Sequence, residues 1–393
     1  MNIAQKIEQR SRELGSYTAE NLSKLVKLKS LSAQEKDVAA AIVGMMKEAG
    51  FDEARLDGIG SAVGRIGNGK KIIAIDGHID TVDTGNLKNW DRDPFSGDID
   101  DTFVHGRGTV DQKGGVASFI TAGRILKELG LENDVTVYFT GTVMEEDCDG
   151  LCWKYLYEEE KIRPDAVIIT EPTDCKIYRG HRGRMEINAS FFGVSAHGSA
   201  PERGKNAIYM GSRACLEIEK LNERLAFDPF LGKGSCALSE FVSGSPSLCA
   251  VSDYAKIHVD RRLTKGEDKA LAVAQIAEVC PPDAKVEVLY YEGVAYTGKK
   301  YGMEKYYPTW VMEEDSPIVK TGISAYNALY NAAPVVDKWT FSTNGVMTCG
   351  VYGIPTLGFG PGNEIYAHAP NEKTPIEDLI KASAFYASFV QLW

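Results

Sequence analysis

Several absences bound this chain of 393 residues. No apolar run approaches the ~20 residues that a membrane helix requires, which argues against a membrane partner. The opening MNIAQKIEQRSRELG has neither an apolar core nor a small-residue cleavage site, and reads as an amphipathic helix rather than a secretory signal. The eight cysteines are scattered and include no CxxC pair. A disulfide framework does not suit a chain this long without a signal, so the expectation is a reducing cytoplasm. Cys148 and Cys152 stand near each other, and buried thiols account for them better than thiolate zinc. Positive charge is not in excess: 44 Lys+Arg face 55 Asp+Glu, for a net charge of −11, which argues against a nucleic-acid partner. Internal repeats and low-complexity tracts are also missing.

What is present is ordinary globular composition, 44% apolar and 25% charged. The length exceeds one compact core and favours two domains, or one domain carrying an insertion. A helix is expected over about residues 4–29. The stretch SAQE, Ser32 to Glu35, has capping-box spacing with Ser32 as N-cap, and Val38, Ala41, Ile42, Met45 and Met46 follow at helical period up to Gly50. Strands at 70–76, 134–143 and 165–170 then alternate with helices at 113–130 and 151–161, the pattern of βαβ units and a sheet covered on both faces. From about residue 180 the order becomes β-α-β-β-α-β, a two-layer, ferredoxin-like α+β unit of its own. A helix, a strand at 354–359 and a final helix follow. The expected architecture is α/β: a discontinuous domain of residues 1–179 and 292–393 with a mixed, mostly parallel sheet, interrupted by an inserted domain at 180–291.

The acids and histidines fall at telling places on that map. His78 and Asp80 follow the strand at 70–76, Glu145 and Glu146 the strand at 134–143, Glu171 the strand at 165–170, and His368 the strand at 354–359. Asp111 sits where GRGTVDQKGG opens a helix. Ligands of open α/β sheets gather outside the carboxyl ends of the strands. Imidazole with carboxylate suits a divalent cation, zinc first. Two such ions would be balanced by Asp111, Glu146, Glu171 and one hydroxide, which leaves Glu145 free to take a proton from water.

The ordered motifs GHIDTV, HGRGTVDQKGG, MEEDCDG, ITEPT, GVSAHGSAPERGKNA and GPGNEIYAHAPNE resemble those of the co-catalytic zinc deacylase and peptidase family, whose members include acetylornithine deacetylase, succinyl-diaminopimelate desuccinylase, aminoacylase and carboxypeptidase G. VMEEDCDG and STNG are also similar to a subgroup of selenium-metabolism-linked hydrolases. The resemblance implies a zinc-peptidase-like catalytic domain that hydrolyses an amide bond in a small N-acyl amino acid or peptide. It implies two Zn²⁺ per subunit, with Co²⁺ or Mn²⁺ as alternatives. His78 and Glu171 would hold one metal, Glu146 and His368 the other, and Asp111 would bridge them, with a cis peptide after it. Asp80 would orient His78, and Glu145 would be the general base. His197, on the inserted domain, would reach the partner subunit's site and stabilise the oxyanion, which implies a homodimer through that domain. Arg262 would grip a substrate carboxylate. The loop FSTNG, which includes Asn344, stands where relatives carry a different substrate-binding loop, and Met144 where many carry an acid.

Duller readings apply to other residues. Asp83 reads as a turn residue, Asp147 and Asp149 as loop acids, with Asp147 also able to compete with Glu146 for metal, His105 and His258 as bystanders, and His181 stays open between bystander and ligand. Two rival functions stand beside amide hydrolysis: a two-metal phosphoesterase, and a catalytically silent relative that binds a small ligand.

Overall fold

The apolar run after Lys71 forms strand Lys71–His78, at the centre of an eight-stranded sheet in the computed structural model, which describes residues 1–132 and 134–393. Ile73, Ala74 and Ile75 are fully buried. The run is continuously apolar, not alternating, because helices cover both faces of the sheet. The strand order is Glu53–Leu56, Ala62–Gly67, Val135–Thr142, Lys71–His78, Ala166–Ile169, Thr356–Gly358, Ile177–Tyr178, Val336–Asp337. Four adjacent strands, from Val135–Thr142 to Thr356–Gly358, run parallel. Their carboxyl ends therefore open on one edge of the molecule. The first two strands are antiparallel and were not anticipated from the sequence.

A second, antiparallel sheet is ordered Ser235–Gly244, Tyr254–Leu263, Gly183–Phe192, Lys285–Val288. With helices Ala207–Glu223 and Lys269–Val279 it makes the β-α-β-β-α-β unit. It has a core of its own, in which Ile187, Phe191, Ile257 and Val259 pack on Ile218 and Ile276. The fold is thus α/β, with a mixed, mostly parallel sheet interrupted by a ferredoxin-like unit. The expected boundary at 291/292 falls inside strand Tyr290–Val294, which forms a hairpin with Lys300–Glu304.

Two local expectations are corrected. The single helix at 4–29 is two helices, Ile3–Glu13 and Gly15–Val26, broken at Leu14, whose N–H points back to the carbonyls of Arg10 and Arg12. SAQE is not a capping box: the helix starts at Lys36, after Glu35. The Ser32 hydroxyl donates instead to Asp80 Oδ2 at 2.7 Å, and Glu35 Oε1 accepts from the backbone N–H of Ala33 and Met144 at 2.9 and 3.0 Å. Tertiary partners on the sheet edge outcompete the local cap.

Candidate metal centre

The four parallel strands place their side chains as follows. His78 closes its strand, in register with Thr142 of the neighbour. Gly77 before it has no room for a side chain: a Cβ there would lie 2.6 Å from Thr170 Oγ1. Glu145 and Glu146 follow strand Val135–Thr142 after Met144, which is held at φ +61°. Glu171 follows strand Ala166–Ile169. A Cβ on Gly360 would meet the Glu171 carbonyl at 2.2 Å, so glycine there lets the chain after Thr356–Gly358 pass close behind Glu171 on its way to His368. Asp111 precedes helix Gly114–Leu129, and the Asp111–Gln112 peptide is cis.

Two groups of donors result, and they share His78. His78, Glu145 and Glu171 form one; His78, Asp111 and Glu146 the other; within each group the ligand atoms lie within 4.8 Å of one another. Nε2 of His78 is 2.8 Å from Asp111 Oδ1, 3.6 Å from Glu171 Oε1 and 3.9 Å from Glu145 Oε2. The other Asp111 oxygen, Oδ2, is 3.2 Å from His368 Nε2, which is 3.0 Å from Glu146 Oε2. Asp111 therefore faces a histidine with each of its oxygens.

Asp80 supports this arrangement from behind. Its backbone carbonyl is 2.9 Å from His78 Nδ1, which leaves Nε2 directed into the cluster. Its carboxylate accepts from the N–H groups of Glu145 and Glu146 at 3.2 and 3.1 Å. Sequence reasoning missed a second support, Glu372. That buried carboxylate accepts from the N–H groups of Gly108, Val110 and Asp111 and pairs with Arg107 at 2.6 Å. It is the last letter of the GPGNEIYAHAPNE motif, and its position there was the available signal.

The electrostatics show what the cluster is suited to hold. Burial, with nearby carboxylates adding to it, raises Glu145 and Glu171 well above the usual range. Burial and the Asp111 charge push Glu146 up to about 7. Burial opposes charge on His78, but Glu171 and Asp111 outweigh it and raise the imidazole. The carboxylates of Asp111 and Glu146 raise His368 to about 10. Among the described residues, Glu145 Oε1 and Glu171 Oε2 are buried without a hydrogen-bond partner. Crowded carboxylates with orphaned oxygens beside two imidazoles fit divalent cations, which neutralise such a set.

The cluster lines a cavity of about 320 Å³, whose wall also includes Asp149, Arg184, Arg262, Phe341 and Ser342. Asn344, expected at the substrate, is elsewhere. It is 1% exposed, its Nδ2 donates to Asp76 and Thr142, and its Oδ1 accepts from Gly150 and Cys152, so its amide is consumed in holding the loop after Glu146. His197 is exposed, hydrogen-bonded to Ser199, and not on the cavity wall. The other three histidines, His105, His258 and His181, also lie apart from the cavity wall. His105 pairs with Asp100, His258 with Ser239, and His181 is packed between Trp310 and Thr343.

Fold and donor set together define a metal-dependent enzyme of the amidohydrolase and peptidase class. Residues 74–392 match the family described as Peptidase family M20/M25/M40, and the chain belongs to that family. It is 50% identical over 375 residues to the uncharacterized protein YgeY of Escherichia coli (strain K12), covering 95% of this chain and 93% of that one. A probable succinyl-diaminopimelate desuccinylase of Staphylococcus aureus (strain MRSA252) is 37% identical over 148 residues, 37% of this chain and 36% of its own. Among solved structures, the YXEP protein of Bacillus subtilis, a dinuclear metal-binding peptidase, superposes with a TM-score of 0.70 at 15% identity, over 97% of this chain and 98% of that one. Among the described residues, no helix is long and apolar enough to cross a membrane.

Proposed function

We propose that this chain hydrolyses the amide bond of a small N-acyl amino acid or short peptide, in the cytoplasm, as a homodimer. The observation that carries the reading is the Asp111 carboxylate, with one oxygen 2.8 Å from His78 and the other 3.2 Å from His368, a geometry suited to joining two metal positions. His78 and Glu171 would hold one ion and Glu146 and His368 the other. Bound there, two Zn²⁺ (Co²⁺ or Mn²⁺ as alternatives) would supply Lewis acidity, acidifying water and polarising the amide carbonyl.

The remaining steps belong to side chains. Glu145 accepts the proton that water releases as its oxygen bonds to the carbonyl carbon. Glu145 then delivers the proton to the nitrogen as the C–N bond breaks, leaving a carboxylic acid and an amine. Asp80 keeps His78 and the Glu145–Glu146 backbone aligned throughout. Residues 180–291 act as a lid and dimerisation domain on the catalytic domain of 1–179 and 292–393. The exposed His197 of that lid stabilises the oxyanion in the partner's site. The resemblance gives the substrate's carboxylate to Arg262, which stands on the cavity wall.

The test is a panel of N-acyl amino acids, dipeptides, carbamoylated amino acids and phosphate esters with metal-replete enzyme, read by amine and phosphate release. Amine release alone supports the reading. Phosphate release alone, or no turnover at all, contradicts it. The dimer has its own test: inactive His197→Ala and Glu145→Ala chains mixed into hybrid dimers should regain activity.

A further inference from the structure

The cavity beside the donor cluster is otherwise acidic, yet two guanidinium groups line it, Arg184 and Arg262. They are cross-strand neighbours, since Arg262 on Tyr254–Leu263 is the register partner of Arg184 on Gly183–Phe192. Like charges placed opposite one another on a sheet repel, so each needs an acid or an anion nearby.

The two are satisfied unequally. Arg262 makes a two-point pair with Asp260, Nε to Oδ1 at 2.8 Å and Nη2 to Oδ2 at 3.0 Å. That pairing occupies the edge with which arginine takes a carboxylate. On Arg184 the same edge is almost unused. Its Nη2 reaches Asp149 Oδ1 only at 3.4 Å and Glu186 Oε1 only at 3.7 Å. Its Nε is buried and has no hydrogen-bond partner among the described residues. The group is nonetheless fixed in place, with its guanidinium carbon 4.7 Å from the ring centre of the fully buried Tyr307. Arg184 is thus a positioned cation at the wall of the cavity whose two carboxylate partners, Asp149 and Glu186, both stand at long range.

We propose that Arg184 is a specificity-determining residue that receives a carboxylate of the substrate, a role that resemblance gives to Arg262. The inference rests on the amide-hydrolase reading and narrows its substrates to amides that carry a free carboxylate on one arm. Asp149 is the group the carboxylate displaces. Its other oxygen is hydrogen-bonded to the Ser342 hydroxyl, so Asp149 keeps a partner when Arg184 turns to substrate.

The experiment uses metal-loaded protein and two probes, N-acetyl-L-alanine and N-acetyl-L-alaninamide, which differ only in the charge at issue. Calorimetry measures binding, and amine release gives kcat and KM. Wild-type protein should bind the acid ~10-fold or more tightly than the amide. Arg184→Gln should abolish that preference through KM, with the amide little changed. Arg184→Lys, which keeps the charge but not the fork, should restore part of it. Asp149→Asn should keep it. The proposal is overturned if wild-type protein shows no preference, if Arg184→Gln retains it, or if Arg262→Gln alone removes it. A purely structural role would lower kcat for both probes equally in Arg184→Gln and Asp149→Asn, and that result overturns it too. Preference without turnover would sink the hydrolase reading and leave Arg184 standing; turnover without preference would do the reverse.

Discussion

The two sheets of this molecule use β-structure in opposite ways. Strand Ala166–Ile169 of the large sheet is buried at every residue, and helices cover both faces. Its faces are committed to packing, so chemistry appears only where the strands stop. Four adjacent parallel strands stop together, and their exits carry His78, the Glu145–Glu146 pair, Glu171 and the loop to His368. Strand Tyr254–Leu263 of the inserted sheet instead alternates. Ala255, Ile257, Val259, Arg261 and Leu263 are buried against helices, while Lys256, His258, Asp260 and Arg262 face the other way. That sheet offers a face rather than an edge, and on its register partners Arg262 and Arg184 it turns two cations toward the acidic cavity. The parallel sheet brings carboxylates and imidazoles to its edge, and the antiparallel one brings two guanidinium groups to the cavity wall.

The largest expected effect lies on the first side of that comparison. Glu145→Ala should lower kcat by ~10²–10⁴-fold, the usual worth of a positioned proton-transfer group, while metal content stays near that of the wild type. Retained turnover in a fully metallated variant would remove Glu145 from the reaction. On the other side, Ile257→Ala opens the inserted core and should cost ~2–5 kcal/mol in denaturant unfolding. Metal content should not change, because no donor rests on that core. A loss of bound metal would show that the two regions are not separable.

A smaller effect is expected at Glu35, behind the Met144 turn. Burial, with the Asp80 charge adding to it, pushes its carboxyl up to about 8 from a usual 4.5. The folded state then holds a proton that the unfolded chain has released, so wild-type stability falls as pH rises from about 4.5 to 8. Glu35→Gln keeps an oxygen to accept from the N–H groups of Ala33 and Met144 and removes the ionisation. Its melting temperature relative to wild type should be higher at pH 9 than at pH 5. A difference independent of pH would refute the buried-acid account.

Much of this could be read from the residues, for physical reasons. Apolar runs mark buried strands, so the acids and histidines just beyond them were visible as a set. The β-α-β-β-α-β order was equally plain from alternating and helical periods. What escaped depends on distant pairing. Ser32 and Glu35 have the spacing of a helix cap, and only the approach of Asp80 and Met144 diverts them. Glu372 is one acid among many until its carboxylate meets three N–H groups of the Asp111 loop. Asn344 lies in a loop that resemblance assigns to substrate, but burial and four hydrogen-bond partners turn it inward. Arg184 is unremarkable until strand register sets it opposite Arg262 and folding brings Asp149 within reach.

The central claim is that donors from four strand ends, with Asp111 between them, hold two divalent ions. Elemental analysis of metal bound per chain, in wild-type protein and in Glu171→Ala purified without chelator, tests it most directly. The account predicts two ions per chain in the wild type and a clear loss in Glu171→Ala. A folded wild-type protein that binds no divalent metal, or a variant with unchanged stoichiometry, would contradict it.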